Sequence, residues 1–399
     1  MSELLLTGIG HLTTNVGDPF SGAAIRVMDG IIEYVGPAAD APEQGKAEHI
    51  DCGGRAVIPG FVDAHTHLVF AGERSREFAL RMGGASYEEL AAGGGGILST
   101  VEATRAASEE ELVEMSAERM SRMIATGTTT LEIKSGYGLD TETELTLLHV
   151  ARRLGAELGI TVKTTFLGAH SVPRAFAGDR AGYVRLLIEE MLPAVAGLAD
   201  FCDVFVEEGV FNVDEARQIL VAAEGHGMRA RVHAEQIHHT GGAQLAAELG
   251  AASADHLDKA TPEDAAALAA SGVAAVLVPG ASFSLRAAQA PGPMIWDAGC
   301  TVALATDCNP GTSYFESMAP IVGLAVIQMG LRPDQAIWAA TRGGALALGL
   351  DDRGIIEEGA PGDLVILDAP GPDHIPYRPA TNLVARVIKQ QDTKSSPST

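Results

Sequence analysis

From residue 56 onward, short apolar runs alternate with Ala-, Leu- and Glu-rich stretches of helical length. This restricts the chain to parallel β/α units, because parallel strands require long, usually helical, crossovers. The residue that ends each run is as informative as the run itself. Residues 56–62 lead to His65 and His67, 129–133 to Lys134, 164–167 to His170, and 203–206 to Glu207. Residues 229–232 then lead to His233, 252–255 to His256, 275–278 to Pro279 and 302–306 to Asp307. Eight strands close a (β/α)8 TIM-type barrel, and all these ends but Pro279 are ionisable, at the strand carboxyl ends where barrel enzymes place their chemistry.

The first 55 residues read differently. Residues 4–7, 24–28 and 31–35 are short strands, the last two split by the hairpin signal Asp29-Gly30. Near the other end, 354–356 and 363–367 read as strands around the turn 359–362. The pattern predicts one small β-sandwich built from both chain termini, residues 1–60 plus 346–390, beside a catalytic barrel over 61–345. A tail from Lys389, with 391–399 beyond the sandwich, has almost no apolar residue and is expected to be disordered. At 399 residues, a barrel with one accessory domain is an ordinary size.

With 52 acidic and 28 basic residues the net charge is −24, which argues against nucleic acid or anionic lipid as partners, since both are bound through clustered Lys and Arg. A small anionic substrate is still compatible, through one local Arg. Cys52, Cys202, Cys300 and Cys308 are scattered, as in the reduced cytoplasm, and Leu4-Leu5-Leu6 lacks the cationic leader of a secretory signal. The uncharged character of residues 265–285 is broken by Gly272, Pro279 and Gly280, so they read as helix, turn and buried strand rather than a membrane span.

His65 and His67 stand two residues apart, so their side chains point the same way off an extended backbone and can share one metal ion. With His233 and Asp307 they give a nitrogen-rich, partly anionic donor set suited to zinc or iron, with a position left for water. For an isolated His-x-His, polar residues at a strand end are an equally good reading; the two further donors favour a metal. Gly93-Gly94-Gly95-Gly96 follows a helical stretch rather than a strand, so it reads as a loop over a pocket and not as a phosphate cradle. Lys134 could serve as a carboxylated ligand to a second metal, but nothing else supplies ligands for one, and a single ion is expected.

Several motifs then fall together: His65-Thr66-His67 within 65–72, Lys134-Ser135-Gly136-Tyr137 within 132–139, Gly168-Ala169-His170 within 165–170, Asp255-His256 within 253–257, and Asp307-Cys308-Asn309-Pro310-Gly311-Thr312 within 305–312. With them the chain resembles the metal-dependent amidohydrolases and, among these, the imidazolonepropionase family of histidine degradation. The resemblance covers nearly the whole chain, and implies one zinc or iron ion, divalent or trivalent, held by His65, His67, His233 and Asp307. It places substrate contacts on Arg74, Tyr137 and His170, with Gln236 and Thr312 nearby, Asn309 and Gly311 against the opened product, and Tyr87 as a further contact. A homodimer is left open.

The implied reaction is hydrolysis of 4-imidazolone-5-propanoate to N-formimidoyl-L-glutamate, by metal-bound hydroxide attacking the ring carbonyl. Asp307 is placed to take the proton and pass it to the departing nitrogen, His256 to donate to the oxyanion or shuttle a proton, and Arg74 to fork the propionate. Gln236 stands where many deaminases carry a glutamate, and an amide is neither acid nor base, so proton transfer falls to Asp307 or His256. Cys308 is expected only to shape the pocket wall. Taken alone, Arg74 is an ordinary loop charge, Tyr137 a packing aromatic and His170 a core histidine; His238 and His239 are read as surface residues. The competing functions are another amidohydrolase, such as an aromatic deaminase or a different cyclic-amide hydrolase, and a non-catalytic scaffold.

Overall fold

The computed structural model describes residues 3–84 and 95–393. Its first strands are β1 (Glu3–Ile9), β2 (His11–Leu12), β3 (Ala23–Met28), β4 (Ile31–Pro37), β5 (Glu48–Asp51) and β6 (Ala56–Pro59). Asp29 and Gly30 join β3 to β4 with φ of 48° and 84°, the left-handed pair of a type I′ turn that an Asp-Gly sequence tolerates. The chain returns at its end with β15 (Leu364–Leu367) and β16 (Val384–Ile388). Two four-stranded sheets result, in the orders β4-β3-β1-β5 and β16-β15-β6-β2. Leu6, Ile25, Val57, Leu364 and Ile366 fill the core they share. The terminal sandwich is therefore made from both ends of the chain, with Ile58 of β6 opposite Val365 of β15.

Residues 354–356 do not form the expected strand. Ile355 and Ile356 are buried in the sandwich core, but Gly354 turns at φ 69° against the backbone of Thr341, and only a single bond, Ile356 N to Thr14 O at 2.9 Å, resembles strand pairing. The apolar run 56–62 likewise divides in two. β6 belongs to the sandwich and β7 (Phe61–Asp63) to the barrel, with Gly60 as the crossing point. A side chain there has no room, because a Cβ on Gly60 would lie 2.1 Å from Thr129 Oγ1.

The barrel strands that follow are β8 (Thr128–Lys134), β9 (Thr161–Ala169), β10 (Phe201–Phe205), β11 (Arg229–Ala234), β12 (Ser253–His256), β13 (Ala274–Leu277) and β14 (Val302–Leu304). They lie in sequence order from β7 to β14, each parallel to the next. The seam between first and last strand closes beyond their ends. Asp307 N donates to His65 O at 3.0 Å, His67 N to Cys308 O at 3.0 Å, and Asp63 accepts from Thr306 N and Oγ1 at 3.0 and 2.6 Å. Three of the four residues expected as metal donors, His65, His67 and Asp307, therefore sit on the join itself.

Capping boxes at Ser108, Asn212 and Thr261 start the outer helices Glu109–Ala125, Val213–Glu224 and Pro262–Ser271, each satisfying N–H groups that a helix start leaves unpaired. Order reaches further into the tail than expected: Gln390–Thr393 forms a 3-10 turn, anchored where Gln390 N donates to Asp363 Oδ1 at 2.7 Å and Lys389 Nζ to Leu158 O at 2.9 Å. All four cysteines are free and buried. Among the described residues no helix is long and apolar enough to cross a membrane.

Candidate active site

His65, His67 and His233 arrive from β7 and β11, and one nitrogen of each lies within 4.8 Å of the others. His65 Nε2 and His67 Nε2 face each other at 3.3 Å, while Asp307 Oδ1 stands 3.5 and 3.4 Å from the same two atoms. Three of the four expected donors thus form one group, and Asp307 stands beside two of them. His233 Nε2 and His67 Nδ1 are buried with no hydrogen-bond partner. Nitrogens left so in a protein interior cost stability unless something else satisfies them. Three grouped imidazoles with a carboxylate beside two of them are a donor chemistry suited to the divalent cation that the motifs imply.

The protonation states agree with ligation. Burial, helped by Lys134 and His233, holds His65 well below its ordinary pKa, and burial with the neighbouring imidazoles does the same to His67. Neutral rings are the form that binds metals. Asp255 Oδ2 lies 2.6 Å from His65 Nδ1, so that nitrogen carries the proton and Nε2 is left as the donor atom. Asp203 Oδ2 approaches His233 Nδ1 at 2.9 Å. Burial raises the Asp307 carboxyl well above the usual range, only partly opposed by its bond with Asn309; a cation alongside would favour the carboxylate.

Beneath these donors lies a buried ionic layer that sequence reasoning missed. Lys134 Nζ stands 3.0 Å from Glu132 Oε1, 2.8 Å from Asp203 Oδ2 and 3.5 Å from Asp255 Oδ2, and Arg231 Nη2 donates to Asp255 Oδ2 at 3.0 Å. Burial and Arg231 oppose the Lys134 ammonium, but the three carboxylates outweigh them and hold its pKa above the ordinary value. An ammonium so encircled is not a carboxylated ligand. The signal available in the sequence was charge inside strands: a barrel interior is normally apolar, and Glu132, Asp203 and Arg231 sit in the middle of β runs.

A cavity of 330 Å³ opens above the donors. A larger one of 720 Å³, beside His11, Trp296 and Trp338, holds none of the candidate residues, so size does not select the site. Tyr137, His170, Gln236, His256, Asn309, Gly311, Thr312 and Arg74 all line the smaller cavity. His170 stacks on His67 with centroids 4.9 Å apart, and its Nδ1 lies 3.0 Å from Gly136 O, which leaves Nε2 as an acceptor. Burial, then His233, lowers its pKa to about 3. His256 has both nitrogens buried and unpartnered, and burial keeps it neutral. Burial and then Asp307 hold the Tyr137 phenol protonated.

Other residues position these. Glu144, on the apolar face of the helix Thr141–Leu158 and invisible as a site residue in sequence, accepts from the N–H groups of Gly136, Gly138 and Leu139 at 2.9, 2.8 and 2.8 Å, fixing the Tyr137 loop. Glu235 turns the chain at φ 54° and accepts from Thr240, Gly241 and Ala243, leaving the next residue, Gln236, at the cavity. Asn309 is occupied with its own loop: its Oδ1 accepts from Gly311 N and Thr312 N, both at 2.8 Å. Glu207, one of the ionisable strand ends, turns away from the donors to accept from Ile237 N and meet His238 Nδ1 at 2.8 Å. His238 and His239 are indeed near the surface, paired with Glu207 and Asp264. Cys308 is fully buried in the apolar cluster with Phe70 and Tyr137. Tyr87, Gly93 and Gly94 lie outside the described residues.

Residues 56–392 match the model of the amidohydrolase family. An imidazolonepropionase of Myxococcus xanthus is 52% identical over 365 residues, covering 90% of this chain and 87% of its own; one of Symbiobacterium thermophilum is 48% identical, covering 97% and 96%. Among solved structures, a 5-methylcytosine deaminase from Klebsiella pneumoniae superposes with TM-score 0.75 at 18% identity, over 97% of this chain and 96% of that one, a likeness of fold alone. A barrel with a two-ended sandwich, three buried histidines grouped as metal donors, and near-half identity along almost the full length place this chain in the amidohydrolase family, among its imidazolonepropionases.

Proposed function

We propose that the chain hydrolyses the ring amide of 4-imidazolone-5-propanoate to N-formimidoyl-L-glutamate in histidine degradation, using one zinc or iron ion bound by His65, His67, His233 and Asp307. The observation that carries this reading is the group of three buried imidazoles, His65, His67 and His233, with Asp307 beside the first two and arginine in the lining of the adjoining cavity. A metal ion there supplies a nucleophilic water at neutral pH and polarises the carbonyl.

The chain's own groups account for the rest. Asp307, raised in pKa by burial, accepts the proton released by water and returns it to the ring nitrogen as the amide C–N bond breaks. His256, neutral and free of other partners, donates an N–H to the oxygen that gains charge. The acceptor Nε2 of His170 meets a ring N–H, and Tyr137 offers a phenol donor. Gln236 binds by its amide without moving protons. Arg74, Asn309, Gly311, Thr312 and Tyr87 complete the substrate contacts.

The test is turnover by protein loaded separately with zinc and with iron, with the product identified by mass and NMR. Conversion of the imidazolone, and none of guanine, cytosine or hydantoin, is expected. Deamination of a nucleobase without ring opening of the imidazolone would overturn the reading.

A further inference from the structure

The larger cavity, away from the metal donors, has the makings of a second site. Its 720 Å³ falls within the roughly 300–1,000 Å³ of ordinary small-molecule sites. It opens between the terminal sandwich and the barrel, with His11, Thr13 and Asn15 from the first and Trp296, Gln335 and Trp338 from the second. Thr301, also in its lining, leads into the amino end of β14, whereas Asp307 lies beyond the carboxyl end of that strand. The cavity and the hydrolytic site therefore stand at opposite ends of the barrel.

The lining selects a ligand chemistry. Both tryptophans of the chain belong to it, one from the helix Gly292–Asp297 and one from Pro333–Trp338, with ring centroids 5.6 Å apart and planes at 85°. Polar groups between them and the sandwich lack partners. Thr13 Oγ1 is buried and bonds nothing. Gln335, 5% exposed, commits its Oε1 to Arg332 N at 2.9 Å, and among the described residues nothing accepts from its Nε2. Buried groups left so cost stability until a ligand or water pairs with them. Among the described residues no lysine or arginine lines the cavity, while Asp334 and Asp373 do. Asp334 pairs with Arg332 at 2.8 Å, but the Asp373 carboxylate caps nothing and has no cationic partner among the described residues. Indoles and an unpaired carboxylate around one cavity favour an organic cation, because the π-cloud and the carboxylate both attract positive charge.

We propose that this cavity is a second binding site, which takes a small organic ammonium that also carries a hydrogen-bonding group for Thr13 or Gln335. It stands independently of the hydrolase reading.

The test follows tryptophan emission of the metal-loaded protein during titration with choline. The control is dimethylbutanol of the same shape, in which carbon replaces the charged nitrogen, and sodium chloride keeps the ionic strength constant. Because both tryptophans line the cavity, the emission reports its occupancy. Choline should give a saturable change and bind about 10-fold or more tighter than the alcohol. Asp373→Asn, at an exposed position, should weaken choline about three- to fivefold and leave the alcohol within about twofold. Trp338→Leu should weaken choline about 3- to 30-fold, with Trp296 still reporting. Equal affinities for choline and alcohol, a choline affinity unmoved in Asp373→Asn, or no change beyond that given by sodium chloride alone would overturn the proposal. So would emission that shifts with protein concentration and not with choline, since a second copy of the chain would then cover the cavity.

Discussion

Replacing Lys134 with methionine tests whether the ionic layer under the donors is held together by that ammonium. The substitution keeps most of the aliphatic length and deletes one charge. Lys134, Glu132, Asp203, Asp255 and Arg231 are all buried, with Lys134 Nζ 2.8 to 3.5 Å from three carboxylates. Without it, three carboxylates face the single guanidinium of Arg231. Breaking a buried pair by removing one partner costs about 3–5 kcal/mol, a large share of the roughly 5–15 kcal/mol that holds a typical domain folded.

The pH dependence fixes the cause. Burial alone would raise Asp255 and Asp203, but Arg231 and Lys134 hold the first, and His233 and Lys134 the second, below the ordinary carboxylate range. Groups depressed in this way contribute stability that is present above their unfolded pKa, about 3.9, and is lost as pH falls through the folded value. Removing Lys134 raises both, so the variant relieves its strain by binding a proton. The penalty measured by urea denaturation of metal-free protein should therefore be larger at pH 8 than at pH 5. Chelator competition should show metal binding about 10- to 100-fold weaker, since Asp203 and Asp255 orient His233 and His65. A loss below about 1 kcal/mol, or one that does not change with pH, would refute the argument.

His233→Ala should remove bound metal and turnover together, because it deletes one of the converging nitrogens; stoichiometric metal by elemental analysis with retained activity would count against the donor set. Asp258 is mostly buried against Ser282 Oγ at 2.5 Å, and burial pushes its carboxyl up to about 7. A carboxyl raised on folding contributes stability below its unfolded pKa that is lost as pH rises through 7. Over about three units this amounts to at most roughly 4 kcal/mol. Asp258→Asn should therefore flatten the fall in stability between pH 4 and pH 8, and an unchanged slope in denaturant titrations would refute it.

The barrel was readable because each run had to end where the chain meets the site, and periodicity with polar ends marks such points. His65, His67, His233 and Asp307 were visible for the same reason. Gly60 was not: a continuous apolar run carries no sign that it changes sheets, and only the closeness of Thr129 forces the glycine. Ile355 and Ile356 have strand composition and core burial without strand pairing, because burial, which sets composition, does not require a ladder. Glu132, Asp203 and Arg231 satisfy one another across the barrel, and a linear pattern does not show which distant charges meet.

The two groups offered for proton transfer are not equally testable. Asp307 is proposed as both metal donor and proton carrier, and it is also part of the barrel seam through its N–H bond to His65 O at 3.0 Å, with φ at 50°. Any replacement changes all of these together, so lost activity there identifies no single role. His256 stands outside the donor set, 5.0 Å from the His233 ring, and makes no hydrogen bond of its own. Its backbone is left-handed at φ 79°, which asparagine tolerates better than most residues. His256→Asn should therefore keep its metal while kcat falls by about 10²–10³, the loss typical of one oxyanion donor. If KM alone changed, or metal left with the activity, His256 would be a packing or ligand-orienting residue, and Asp307 would have to carry the chemistry without it.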